Sequence, residues 1–204
     1  MSPGWPFALA ALICFLPGPA SAHMAWAGAG GFWSGFLHPL TSPDEVCFLL
    51  ALSIWSTFNE PYARLWTLGV VATVPAAAAV ALLWSGRELA TLPWMAGLMI
   101  VAGLGGALRL KVQGVLLVAF AAVGAGLIGA ETGQAVGGLS PGEFIIGAWL
   151  SPVMLTVFLV DGVGHLRAEW QIIACRAVAS WIAAIGIMMS AFELWQRHAP
   201  PPPL

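Results

Sequence analysis

Residues 112–130 read VQGVLLVAFAAVGAGLIGA, and this stretch decides the fold class. It contains no charged side chain, and its length is close to the roughly 20 apolar residues that an α-helix needs to cross a bilayer. The whole chain is similar, because 60% of its 204 residues are hydrophobic and 8% are charged. Globular proteins have about 25% charged residues. Too few polar side chains remain to cover a water-facing surface, so lipid must cover this protein.

Hydropathy predicts an all-α, polytopic transmembrane helix bundle with six spans. The spans lie at about 43–58, 65–84, 91–108, 112–130, 143–161 and 172–194. The loops between them are short, so we interpret residues 23–199 as one six-span domain and the Pro-rich residues 200–204 as a disordered tail. The net charge of -2 provides no basic field for nucleic acid, and no catalytic motif is present. We therefore expect neither a nucleic-acid-binding protein nor an enzyme.

The N-terminal residues have the pattern of a secretory signal. Residues 7–16 form an apolar stretch, Pro17 and Pro19 interrupt it, and Ala20-Ser21-Ala22 is a small-residue cleavage signal. The pattern predicts that residues 1–22 are a cleaved signal peptide and that His23 is the mature N-terminus. The segment before the apolar stretch has no Lys or Arg, so retention as a seventh helix is the alternative.

The basic residues predict the orientation in a bacterial-type inner membrane. If the mature N-terminus is extracytoplasmic, five of the seven basic residues fall at cytoplasmic ends of spans: Arg64, Arg109, Lys111, Arg167 and Arg176. Only Arg87 and Arg197 then lie outside. Cytoplasmic loops carry the excess of Lys and Arg in membrane proteins, so this orientation is favoured over the reverse.

Five polar residues fall on the extracytoplasmic side of this topology: His23, His38, Asp44, Glu45 and Glu131. Asp44 and Glu45 open the first span and Glu131 closes the fourth, so two helices of opposite direction bring carboxylates to one membrane depth. Imidazole and carboxylate groups bind divalent transition metals. After cleavage, the amine and imidazole of His23 could join them. The five residues are therefore candidate metal ligands.

Helix capping is the competing interpretation for some of these acids. Ser42-Pro43-Asp44-Glu45 has the sequence of a capping box, and Ser140-Pro141-Gly142-Glu143 repeats it. Capping alone explains Glu143 and competes with metal binding for Glu45. It does not explain Glu131, which stands at the carboxyl end of a span, where the helix dipole disfavours an anion. For Glu131 the alternative is simple exposure at the interface.

Cys47 and two prolines within spans could contribute to a binding cavity. Cys47 lies three residues after Asp44 and shares its helix face, so it is either a soft ligand or, more commonly, a small buried hydrophobic residue. Pro75 and Pro152 stand in the middle of spans, where each removes a backbone hydrogen bond. The resulting kinks either line a cavity or are absorbed by neighbouring helices.

Two motifs carry a family resemblance. They are the segment GFLHPLTSPDE at residues 35–45 and the glycine-rich span that ends Gly129-Ala130-Glu131. With these motifs the chain resembles the HupE/UreJ family from about His23 to Trp195. Members are membrane proteins of hydrogenase and urease accessory systems and are regarded as nickel or cobalt permeases. The resemblance implies nickel or cobalt as transported substrate and a metalloenzyme maturation partner.

The family motifs are only partly present. The first reads approximately H-P-x-x-G-x-D-H, which His38, Pro39 and Asp44 match, while Glu45 replaces the second histidine. In the second, approximately F-H-G-x-A-H-G-x-E, Gly124 and Ile128 replace both histidines, and Gly129 and Glu131 remain. Glu45 can substitute for a ligand, whereas Gly124 and Ile128 cannot. The resemblance therefore leaves two hypotheses: a metal permease, or a non-transporting accessory or assembly subunit that has lost the metal site.

Overall fold

The computed structural model describes residues 30–59, 65–83 and 90–198, and these residues form seven α-helices without a strand. The helices are α1 Gly31–Thr41, α2 Pro43–Thr57, α3 Leu65–Leu83, α4 Leu92–Ala107, α5 Gly114–Ala135, α6 Pro141–Gly164 and α7 Glu169–His198. The all-α prediction is confirmed for this part of the chain. The predicted signal peptide, His23 and the Pro-rich tail lie outside the described residues.

The helices α2 to α7 coincide in position with the six predicted spans. Three of them, α5, α6 and α7, are long and apolar enough to cross a membrane, whereas Leu92–Ala107 is a shorter apolar helix. The 15 residues of α2 extend over about 22 Å, less than the roughly 30 Å of hydrocarbon in a bilayer. The chain is therefore a membrane protein by its apolar helices, and the number of crossings stays a prediction.

The outward-facing side chains fit a lipid environment. Large apolar residues are exposed along the long helices, among them Phe158 at 69%, Trp181 at 68% and Met188 at 65%. Soluble proteins rarely expose apolar surface on this scale. The described surface of α6 and α7 is therefore suited to contact with acyl chains.

The first helix was not predicted. The segment contains glycines, which disfavour helix interiors. In the structure α1 packs on α6, and Gly31 and Gly35 lie at the crossing. A Cβ atom on Gly35 would collide with the Phe144 carbonyl, and one on Gly147 would collide with the Phe32 carbonyl. Glycine permits this close approach, and the crossing fixes the direction in which α1 delivers His38.

The remaining helices pack mainly in pairs. Helix α3 packs mainly on α5, α4 packs mainly on α7, and α2 contacts α4 and α6. Gly129 and Gly133 lie against the backbone of α3, where glycine permits a close helix approach. The far end of α2 is held by hydrogen bonds: Trp55 Nε1 donates to the Leu110 carbonyl at 2.8 Å, and Val112 N–H donates to Asn59 Oδ1 at 2.8 Å. Helix α2 is thus fixed at the end opposite Glu45.

Candidate metal centre

Three of the predicted ligands come together in the structure. His38 of α1, Glu45 of α2 and Glu131 of α5 each offer one ligand atom, and these atoms lie within 4.8 Å of one another. We refer to them as the His38 group. Residues that are far apart in sequence and belong to three different helices therefore converge on one point near the start of α2.

His38 is positioned by the end of its own helix. It lies in the last turn of α1, where its carbonyl oxygen accepts hydrogen bonds from Thr41 Oγ1 and Ser42 Oγ, both at 3.0 Å. Its ring lies 5.9 Å from the ring of Phe144, measured between centroids, and its Nε2 atom is buried. These contacts leave the imidazole directed towards the interior.

Glu45 is fully buried in the first turn of α2. Neither of its carboxylate oxygens has a hydrogen-bond partner among the described residues. The carboxylates of Glu131 and Asp44 are close enough to interact with it electrostatically. A buried anion among other acids costs several kcal/mol unless a cation or a proton compensates it. The environment of Glu45 therefore favours binding of a positive charge.

The capping interpretation of Glu45 is wrong. Ser42 precedes α2 but makes no side-chain cap hydrogen bond, because its hydroxyl donates to the carbonyl of His38 instead. Glu143 makes no capping box either, since Ser140 has no cap hydrogen bond and the Glu143 carboxylate lies beside Gly31. Tertiary contacts with α1 redirect side chains that the local sequence assigned to the helix ends.

Glu131 is half-buried in α5, one turn before the helix ends. Its Oε2 atom accepts a hydrogen bond from Thr91 Oγ1 at 3.1 Å. Thr91 stands just before α4 and makes no cap hydrogen bond to its own helix. Sequence reasoning missed this threonine, because a hydroxyl before an apolar helix is ordinarily interpreted as a cap.

The other candidates from the sequence are Asp44, Cys47 and His23. Asp44 is half-buried and not part of the His38 group, although its charge acts on Glu45. Cys47 is half-buried and packs against the apolar core around Phe48. It forms no disulfide with Cys175. His23 lies outside the described residues.

The positions of the two missing family histidines belong to the apolar core. A Cβ atom on Gly124 would collide with the ring of Phe48, and Ile128 is fully buried in the same cluster. A histidine at position 124 would therefore require Phe48 to move. Apolar side chains of α2 and α5 fill this space. The polar side chains of the His38 group lie at the depth of Glu45 and Glu131 in the bundle.

The donor set consists of one nitrogen and two carboxylates. Bonds of about 2.0–2.2 Å to a transition metal place two ligand atoms at most about 4.4 Å apart. The observed limit of 4.8 Å is slightly wider, so a small inward movement of the side chains would complete the site. Imidazole suits nickel and cobalt, whereas carboxylates are the harder ligands. Two carboxylates also balance the charge of a divalent cation.

The apolar helices and this buried group define a membrane protein with a candidate cation site at the helix ends. A model of the family described as HupE / UreJ protein matches residues 10–189, and the chain belongs to this family. The family is associated with nickel and cobalt transport or with accessory roles, and its members are not known as enzymes. No curated protein and no solved structure matches the chain.

Proposed function

We propose that this chain is an integral membrane permease or metal-handling protein for a divalent transition metal of the nickel or cobalt kind. The observation that carries the proposal is the convergence of His38, Glu45 and Glu131 within 4.8 Å. A cation would remove the cost of burying the Glu45 carboxylate, and an imidazole ligand favours a transition metal over magnesium. In the family motif a histidine stands at the position of Glu45, so the proposed site would keep the position of the family's ligand and change its type.

The proposed mechanism is capture on the extracytoplasmic side and passage through the bundle. The His38 group lies where α2 begins, and the basic-residue distribution assigns this end to the outside. No phosphate-binding loop occurs in the sequence, so the electrochemical gradient of the cation would drive its movement. An intracellular metalloenzyme maturation system would receive the metal.

One experiment tests the proposal directly. The purified protein is reconstituted in liposomes, and nickel and cobalt binding and uptake are measured with wild type and His38→Ala. We expect uptake by wild type that exceeds protein-free liposomes, and loss of both binding and uptake in His38→Ala. Equal binding by the two folded proteins would refute the site.

A second function has an observation in its favour. The apolar packing at Gly124 and Ile128 excludes the family's histidine pair, which fits a non-transporting accessory or assembly subunit. Such a protein would give no nickel or cobalt uptake while remaining folded. It would instead copurify with a membrane or periplasmic partner, which crosslinking in native membranes would detect.

A further inference from the structure

Most hydroxyl groups in the described helices satisfy themselves locally. Ser53, Thr73 and Ser190 each donate to the carbonyl oxygen four residues earlier, and Ser56 and Ser180 do so three residues earlier. This pattern is usual for Ser and Thr within helices. A buried hydroxyl in these helices is therefore expected to bond a carbonyl of its own helix.

Two hydroxyls of α6 break this pattern. Ser151 is 1% exposed and Thr156 is fully buried, yet neither has a hydrogen-bond partner among the described residues. An unsatisfied buried hydroxyl costs about 1–3 kcal/mol. Both side chains could have rotated to bond a carbonyl of their own helix, as Ser53 does. Neither hydroxyl is therefore used to stabilise its own helix.

Pro152 adds a third oxygen to this part of α6. It lies inside the helix and has no backbone N–H, so the carbonyl of Ala148 receives no hydrogen bond from position 152. Ala148 is also buried. The interior of α6 thus contains two unsatisfied hydroxyls and one carbonyl without its usual helical donor, all without formal charge.

Ser151 and Ala148 lie on the side of α6 that is turned to the His38 group. Phe144 contacts the His38 ring, and Ser151 follows Phe144 by two helical turns, which places both on one face of α6. Ser151 is therefore about 10 Å deeper along the helix. Thr156 lies about 7 Å beyond it but about 140° around the helix axis, on a different face of α6. Helix α2 contacts α6 and starts at the same end of the bundle, with Ser53 and Ser56 buried further along it.

We propose, on the basis of the proposed function, that the Ser151 hydroxyl and the Ala148 carbonyl line the passage of the cation from the His38 group into the bundle. A hydroxyl can accept from the water shell of a hydrated divalent cation and can also bind the ion directly. Oxygens without charge hold a cation weakly, and weak successive sites permit ions to leave as well as to enter. The charged group captures the ion, and the neutral oxygens pass it on.

The test uses the full-length protein in liposomes with nickel as the probe. The variant Ser151→Ala removes the hydroxyl of the proposed passage. The matched control Thr156→Val removes a hydroxyl that is equally buried and unsatisfied but lies on another face of the same helix. We expect Ser151→Ala to lower the initial uptake rate about tenfold, equivalent to about 1.4 kcal/mol, with unchanged equilibrium binding. Thr156→Val should take up nickel at the rate of wild type.

The outcomes separate this inference from the function on which it rests. Normal uptake by the folded Ser151→Ala variant, or an equal loss of uptake in Thr156→Val, would overturn the passage alone. Parallel loss of binding and uptake in Ser151→Ala would also overturn the passage, because the hydroxyl would then support the capture site or the fold. Absence of nickel binding and uptake in wild type would refute the proposed function and the passage together.

Discussion

Glu45 is the residue whose surroundings demand an explanation. It is an anion in the first turn of α2, where the positive end of the helix dipole offsets part of its burial cost. The dipole is worth about 0.3–1 kcal/mol at such a position, whereas burial of a carboxylate costs several kcal/mol. The burial cost exceeds the stabilisation by the dipole so far that a compensating cation or proton is required. The neighbouring acids Asp44 and Glu131 raise the cost further.

The variant Glu45→Gln separates binding from folding. We expect it to weaken nickel binding by at least about tenfold, because one charged ligand is lost. Without metal, its thermal stability should equal or exceed that of wild type, since the repulsion from Glu131 and Asp44 is removed. Calorimetric titration and thermal unfolding in detergent measure the two effects. The control Glu143→Gln alters an exposed carboxylate beside Gly31 and should change neither.

Thr91 tests whether positioning of Glu131 matters. Thr91→Val keeps the shape and removes the donor to Glu131 Oε2. Loss of an outer partner typically reduces metal affinity about 10–100-fold. We expect a reduction near the lower end for nickel, with recovery in Thr91→Ser. If Thr91→Ser bound nickel no better than Thr91→Val, the hydrogen bond to Glu131 would have no role in the affinity.

Three of the five ligands predicted from sequence form the His38 group, and the reasons differ by residue. Glu131 stood out because neither capping nor a nearby cation explained it. Asp44 and Glu45 are adjacent and point about 100° apart on the helix. Which of the two side chains turns inward depends on the direction in which α1 leads into α2. A local sequence pattern does not determine that direction. Thr91 could not be found for a similar reason, since its partner is 40 residues away.

At the scale of elements, hydropathy located six helices well because their apolar stretches are long and uninterrupted. It missed α1, whose glycines serve a crossing with α6 rather than a turn. Helix propensity accounts for the destabilising effect of glycine in an isolated helix. It does not account for the helix that packs against that glycine. The seven helices described therefore include one that only tertiary contacts explain.

The crossing of α1 and α6 yields a prediction of its own. Gly35→Ala places a methyl group against the Phe144 carbonyl, and overpacking of this kind costs about 1–3 kcal/mol. Because α1 carries His38, nickel affinity should fall with stability. Gly126→Ala is the matched control: its methyl group meets open space within α5, and the gain in helix propensity should stabilise by about 0.5–1 kcal/mol. Destabilisation equal to that of Gly35→Ala would show that the crossing is not specific.

At the scale of the whole molecule, the two ends of α2 have opposite character. Glu45 and the His38 group lie at its start. At its end, Lys111 Nζ donates to the Phe58 carbonyl, and the Arg109 guanidinium lies 5.0 Å from the centre of the Phe58 ring. The 13 residues from Glu45 to Phe58 correspond to about 19 Å of helix. The acids of the His38 group and these two basic residues thus lie at opposite ends of α2, and this separation supports one orientation in the membrane.

That separation leads to a topology prediction. With the basic end in the cytoplasm, residues 131–142 are extracytoplasmic, and Arg109-Leu110-Lys111 and residues 164–169 are cytoplasmic. In a cysteine-free background, Gly138→Cys should react with a membrane-impermeant thiol reagent applied to intact spheroplasts. Ala168→Cys should react only after the membrane is opened. Both positions are exposed, so accessibility within the protein does not differ between them. Reaction of Ala168→Cys alone in intact spheroplasts would place the His38 group in the cytoplasm and turn the proposed uptake into export.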